Sequence, residues 1–156
     1  MVKRDKECRL GREQSKELRN AYEGCVLAVL RNCKVVATTL SNASHELLRD
    51  SSFEPDFVIS DEAGQCLEGD HCIALTMPTV KAVVLIGDPD QLPPTVISEN
   101  DCNEGATYLK RALMTRLQKA GYPCTMLTTN CRNHSQILDL WNRRVYNGDL
   151  RVQSTR

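Results

Sequence analysis

Three short apolar runs constrain this chain more than anything else in it: Lys34-Val-Val-Ala-Thr38, Phe57-Val-Ile-Ser60 and Ala82-Val-Val-Leu-Ile86. Each is rich in β-branched residues and continuous instead of alternating. A strand with one wet face alternates apolar and polar side chains, so continuous runs predict strands covered on both faces, which is the condition of a parallel sheet between helices. The intervening segments supply those helices. Leu18, Tyr22, Cys25, Val26 and Val29 recur at helical spacing within 12–31. Short helices are predicted over 44–49 and 70–77, and a longer one over 107–120, stopped by Gly121. A weaker strand is predicted over 124–128. A last helix over 134–146 carries the stripe Ile137, Leu138, Trp141 and Val145 and ends at Asn147-Gly148. Alternation of this kind predicts an open α/β fold, and such folds bind ligands at the carboxyl ends of their strands.

Charge is segmented along the chain. Of 20 basic and 20 acidic residues, positions 1–34 hold nine and five, 35–105 hold two and thirteen, and 106–156 hold nine and two. The total is neutral, so no overall basic field announces a nucleic-acid binder. An acidic block between basic flanks suits a site that gathers divalent metal and phosphate. No apolar run reaches the roughly 18 residues of a membrane helix, and the N-terminus has no apolar signal core. The eight cysteines form no CxxC pair; Cys131 with His134, and Cys66 with His71 and Cys72, match no standard zinc spacing. Reduced thiols in cytoplasm or nucleus are expected, with no membrane association.

Two of the three runs end in polar clusters. Ser60 is followed by Asp61-Glu62-Ala63-Gly64-Gln65, and Ile86 by Gly87-Asp88-Pro89-Asp90-Gln91-Leu92-Pro93-Pro94. Adjacent carboxylates at a strand end repel one another and need a partner. A hard divalent cation bridged to phosphate oxygens is the economical one, with one carboxylate on the metal and its neighbour free to position a water. The bland alternatives are a helix cap for Asp61, a solvent-facing Glu62 and a surface salt bridge for Arg132. His45 is expected as a solvated side chain, Arg143 and Arg144 as a solvated helix face, and Trp141 as core.

These clusters resemble superfamily 1 helicases. Phe57 to Gln65 is similar to their Walker B motif, DEAxQ, and Val84 to Pro94 to their motif III, GDxxQLPP. Val36-Ala-Thr38-Thr39-Leu40-Ser41-Asn-Ala43 resembles the TTLS segment that touches the nucleic-acid backbone. Leu127-Thr-Thr-Asn130-Cys131-Arg132-Asn133-His134, with Tyr146-Asn147-Gly148-Asp-Leu150 further on, resembles LxxQYRMHP and FYNGxL. The order fits the branch of the nonsense-mediated-decay helicase and senataxin. The resemblance implies a parallel RecA-like sheet flanked by helices and incomplete here, with residues 1–122 the latter part of a first RecA-like domain and 123–156 the opening of a second. It implies ATP with Mg²⁺, a nucleic-acid partner, RNA or DNA, and the remainder of a helicase core. Asp61 would hold Mg²⁺ and Glu62 activate water; Gln91 would sense the γ-phosphate, with Gln65 and Asp88 in the same nucleotide-binding network. Arg132 would stabilise transition-state charge, and Thr38, Thr39, Ser41 and Pro94 would face nucleic acid.

The departures are specific. Asn130-Cys131-Arg132 stands for Gln-Tyr-Arg, and Asn133-His134-Ser135 for Met-His-Pro. Gly64 replaces the usual Ser or Ala and is expected to loosen its loop. The one glycine pair at P-loop spacing, Gly64 and Gly69, is followed by Asp70-His71 instead of Lys-Ser/Thr, so no phosphate cradle is written in these residues. The chain ends before the family's motifs V and VI. It is therefore expected to be inactive alone, with a catalytically inactive nucleic-acid-binding or interaction remnant as the alternative function. Gly87-Asp88-Pro89-Asp90 also resembles the metal loop of haloacid-dehalogenase phosphohydrolases, but their DxDx[T/V] strand is missing.

Overall fold

A computed structural model of the chain describes residues 11–98 and 102–153, which leaves Cys8 outside. It falls into two compact units. One takes the described residues up to Ser60 together with Glu68–Leu85; the other takes Asp61–Leu67 with the residues from Ile86 onward. Of the three chain boundaries between them, those after Ser60 and Leu85 fall where a strand ends.

In the first unit, helix α1 spans Arg12–Leu30. The Gln14 carboxamide reaches back to accept from the Gly11 amide at 3.1 Å, satisfying a donor that the first turn leaves open. At the other end Asn32 Nδ2 donates to the Ala28 carbonyl at 2.8 Å. The expected apolar stripe is present but not buried: Leu18, Tyr22 and Val29 are all exposed. The run 34–38 has the composition of a strand yet no ladder partner among the described residues, so it forms no strand. After a 3₁₀ turn at Ser41–Ser44 comes α2, Glu46–Asp50. His45 is its N-cap, its Nδ1 accepting from the Leu47 amide at 3.2 Å, which gives this histidine a structural role in place of simple solvation. Ser51 closes α2 from a fully buried position, with Oγ donating to the Leu48 carbonyl at 2.6 Å.

The parallel pair forms as expected. β1 is Phe57–Ser60 and β2 is Ala82–Leu85, registered Phe57 to Ala82 and Ser60 to Leu85. The helix between them, α3, is Glu68–Leu75. Its His71 is wholly buried, with Nε2 3.0 Å from Ser60 Oγ, so the last residue of β1 is tied to α3 by a buried polar contact. Coverage on both faces is not observed. Val58, Ser60, Val83 and Leu85 point inward, while Phe57 at 66% exposure, Ile59 at 69% and Val84 at 48% share the outward face. A continuous run shows that both faces are built for burial; the described residues supply cover for one.

In the second unit the helix expected over 107–120 is two helices, α4 (Ala106–Leu109) and α5 (Leu113–Lys119). Ala112 is extended, φ −83° and ψ 137°, and buried, which breaks the helical path. Gly121, at φ +82°, ends α5, and the Tyr122 amide donates to the Leu117 carbonyl at 3.1 Å in a Schellman-type closure. The strand expected over 124–128 lies instead at Thr129–Asn130 (β3) and pairs in parallel with Arg151–Val152 (β4), which periodicity did not indicate. Between them α6, Ser135–Arg144, completes a small βαβ unit. Leu138 of α6 is buried, but Trp141 is 55% exposed and is not core.

Candidate functional site at the strand ends

Because β1 and β2 run parallel, the loops that follow them leave the same edge of the pair. Asp61 and Glu62 begin the first loop and both are exposed. Asp61 Oδ1 accepts from the Glu62 amide at 3.0 Å. Glu62 sits in the left-handed region, φ +52° and ψ 36°, which costs a residue with a Cβ about 1 kcal/mol. The strain is held by a following turn, Ala63–Gln65, in which the Gln65 amide donates to the Glu62 carbonyl at 2.9 Å. The turn brings the Gln65 carboxamide to 3.4 Å from Glu62 Oε2.

The second loop locks onto this turn through backbone. The Ala63 amide donates to the Ile86 carbonyl at 2.8 Å, one step beyond the ladder. A Cβ on Gly64 would stand 2.6 Å from the Asp88 carbonyl oxygen, and one on Gly87 would stand 2.9 Å from the amide nitrogens of Ala63 and Gly64. Gly64 therefore does not loosen its loop; it permits an approach that any side chain would block. This corrects the expectation drawn from its departure from Ser or Ala.

Asp88 is the polar hub of the second loop. Its Oδ1 accepts from the Asp90 amide at 3.0 Å, and its Oδ2 accepts from Gln91 Nε2 at 3.0 Å and from the Tyr146 hydroxyl at 2.5 Å. Partial burial pushes this carboxyl up, but the bonds from Tyr146, the Asp90 amide and Gln91 together hold it below the usual carboxylate value. The same bond to Asp88, followed by burial and by the nearby acidic charges, pushes the Tyr146 phenol up to about 12. Tyr146 stands in the Tyr-Asn-Gly stop of α6, and nothing in the sequence spacing makes it a partner of Asp88. Pro94, nominated to face nucleic acid, is buried.

Arg132 lies in an exposed turn in the same unit. Asn130 Oδ1 accepts from the amides of Arg132 and Asn133, at 3.1 and 2.8 Å, so the asparagine that departs from Gln-Tyr-Arg shapes the arginine's backbone. His134 then caps α6, Nδ1 accepting from the Gln136 amide at 3.4 Å. In the other unit Thr38, Thr39 and Ser41 are exposed; Asn42 Nδ2 donates to Thr38 Oγ1 at 3.0 Å, and the Asn42 amide to Thr39 Oγ1 at 3.3 Å.

No cluster of three or more metal-ligating side chains occurs among the described residues. The described residues around Asp61 thus offer no all-protein metal cage. None of the described cysteines is in a disulfide, and no described helix is long and apolar enough to cross a membrane.

Comparison with known proteins gives the family. The family model of an AAA domain matches residues 1–99. The probable helicase MAGATAMA 3 of Arabidopsis thaliana is 39% identical over 137 residues, covering 83% of this chain and 16% of that protein. Helicase sen1 of Schizosaccharomyces pombe is 35% identical over 125 residues, 79% of this chain and 7% of the relative. DNA-binding protein SMUBP-2 of Mesocricetus auratus is 36% identical over 143 residues, 86% of this chain and 14% of the relative. The chain therefore spans less than a fifth of these relatives. An AAA-domain match over residues 1–99, together with helicase relatives 35–39% identical over about four fifths of the chain, means that the chain belongs to the P-loop NTPase α/β family, in the Sen1-like branch of superfamily 1 helicases.

Proposed function

We propose that this chain is part of the core of an ATP-dependent nucleic-acid helicase or translocase and carries its water-activating, phosphate-sensing and arginine elements. The observation that carries the reading is the backbone lock between the two strand-end loops, Ala63 to Ile86 and Gly64 against Asp88. It makes the carboxylate pair and the Gln91 loop one unit, as coupling of hydrolysis to movement requires.

In this reading the sheet is RecA-like, residues 1–122 are the latter part of a first domain and 123–156 open a second. Asp61 holds Mg²⁺, which supplies charge neutralisation at the phosphates of ATP. Glu62, turned outward by its left-handed backbone, orients and deprotonates the attacking water, with Gln65 3.4 Å from its carboxylate. Gln91, anchored on Asp88, senses the γ-phosphate; Arg132 meets charge that develops on it. Thr38, Thr39 and Ser41 contact the nucleic-acid backbone, and buried Pro94 braces its loop from within. The relatives named as helicases and as a DNA-binding protein favour a nucleic-acid partner.

A second reading is a non-catalytic nucleic-acid-binding or interaction module. The two readings part on the full-length gene product. Nucleic-acid-stimulated ATP hydrolysis, lost by roughly 10²-fold or more in Glu62→Gln, is expected for the helicase. Absence of turnover with retained nucleic-acid binding would establish the module.

A further inference from the structure

The end of α6 is built to deliver one phenol to a loop 58 positions upstream. The Tyr146 amide donates to the Asn142 carbonyl at 3.1 Å, and the Gly148 amide to the same oxygen at 2.9 Å. Asn142 also brackets Leu150, Nδ2 donating to its carbonyl at 2.8 Å and Oδ1 accepting from its amide at 2.9 Å. Four hydrogen bonds on one asparagine, with Asn147 at φ +52° and Gly148 at φ +84°, leave the turn little freedom.

At the receiving end, the Tyr146 hydroxyl and Gln91 Nε2 converge on the same atom, Asp88 Oδ2. Asp88 Oδ1 is committed to the Asp90 amide, so the carboxylate cannot rotate to serve one donor without losing another. The Gln91 side chain is exposed; it donates to this carboxylate and also bonds to the Tyr146 phenol, whose ionisation it eases against the pull of Asp88. Whatever fixes the carboxylate fixes the carboxamide. A charge-assisted O–H to O⁻ bond of 2.5 Å is the strongest of the three contacts.

We propose that Tyr146 is a positioning residue for Gln91: its hydroxyl clamps the Asp88 carboxylate so that the Gln91 carboxamide is held ready for a phosphate oxygen, and it joins α6 to that sensor. The proposal rests on the ATPase reading given above for the role of Gln91, but the clamp itself can be read without turnover. In the full-length gene product, Tyr146→Phe keeps the ring and removes the donor. It is expected to lower kcat about tenfold, the worth of one hydrogen bond to a charged group, with KM for ATP within about twofold. In a Gln91→Ala background the same change should alter kcat by less than about twofold, because there is no carboxamide left to position. Asp88→Asn, which weakens the clamp from the other side, should give a loss of the same size. Amide hydrogen exchange over residues 87–92 should speed several-fold in Tyr146→Phe. An equal loss in both backgrounds would make Tyr146 merely structural, and unchanged kcat or unchanged exchange would remove the clamp; either result overturns the proposal. A wild-type protein without nucleic-acid-stimulated turnover would instead overturn the helicase reading, and exchange would then decide the clamp alone.

Discussion

The strand-end loops and the α6 segment both carry candidate chemistry, but they are held in different ways. Residues 61–67 and 86–91 are locked backbone to backbone, by an amide–carbonyl bond and by two glycines whose missing side chains set the spacing. Arg132 sits on a turn shaped by one asparagine side chain, exposed and followed by a histidine cap. Phosphoryl transfer asks for both kinds of part. On the proposed reading, groups that bind metal and water gain from rigidity, whereas a charge that arrives only when nucleotide is enclosed gains from a mounting separate from theirs.

The contrast can be broken most sharply at Arg132. Arg132→Ala in the full-length protein should cut hydrolysis by roughly 10²- to 10³-fold with nucleotide affinity nearly unchanged, as expected of a transition-state contact. Thermal melting should not move. A variant with normal turnover and a lowered melting temperature would reduce the residue to a surface ion pair.

Gly64→Ala tests the other side. Its methyl would meet the Asp88 carbonyl at 2.6 Å, so the loops must part, at a cost of about 1–3 kcal/mol. Gly69→Ala, with nothing within 4 Å and inside α3, should instead stabilise by about 0.5–1 kcal/mol. Urea unfolding of the pair checks both signs, and equal effects would show that the lock carries no strain.

A smaller effect is expected from pH. With its ionisation raised to about 12 from the ordinary 10, Tyr146 contributes stability that is fully present below about pH 10 and is lost as pH rises toward 12. Asp88, held low, contributes stability present above the usual carboxylate range and lost on acidification. Of the four tyrosines, one should ionise near 12 in an ultraviolet titration, and Tyr146→Phe should delete that step. The smallest effect belongs to Arg143, paired with Asp139 at 2.9 Å on an exposed face of α6; Arg143→Ala should cost no more than about 0.5 kcal/mol, a difference that vanishes in high salt.

What was legible in the chain follows from what pattern encodes. β1 was placed to the residue and β2 to within one, because continuous β-branched runs flanked by polar clusters have few other uses. Residues 34–38 have the same pattern and form no strand, since pattern records a demand for burial and a ladder also needs a partner. β4 was missed because two residues, Arg151 and Val152, hold no periodicity. Trp141 was expected as core for its place in a stripe, and a stripe says only which face could be covered. At the site, Asp61 and Glu62 follow from the chemistry of paired carboxylates at a strand end, and Asp88 and Gln91 from the resemblance to the helicase motif. Tyr146 follows from neither, because a contact spanning 58 positions leaves no local trace.

The approach at Gly64 has a consequence for how this chain can be altered. A Ser or Ala, which the resemblance to the helicase motif implies at this position, is excluded here by the carbonyl of Asp88, a neighbour in space and not in sequence. The two positions are thus epistatic: a side chain at 64 becomes acceptable only after the backbone at 88 has withdrawn, and withdrawal displaces the carboxylate that anchors Gln91. Stabilisation by consensus substitution, which treats positions as independent, would choose the wrong residue at this one.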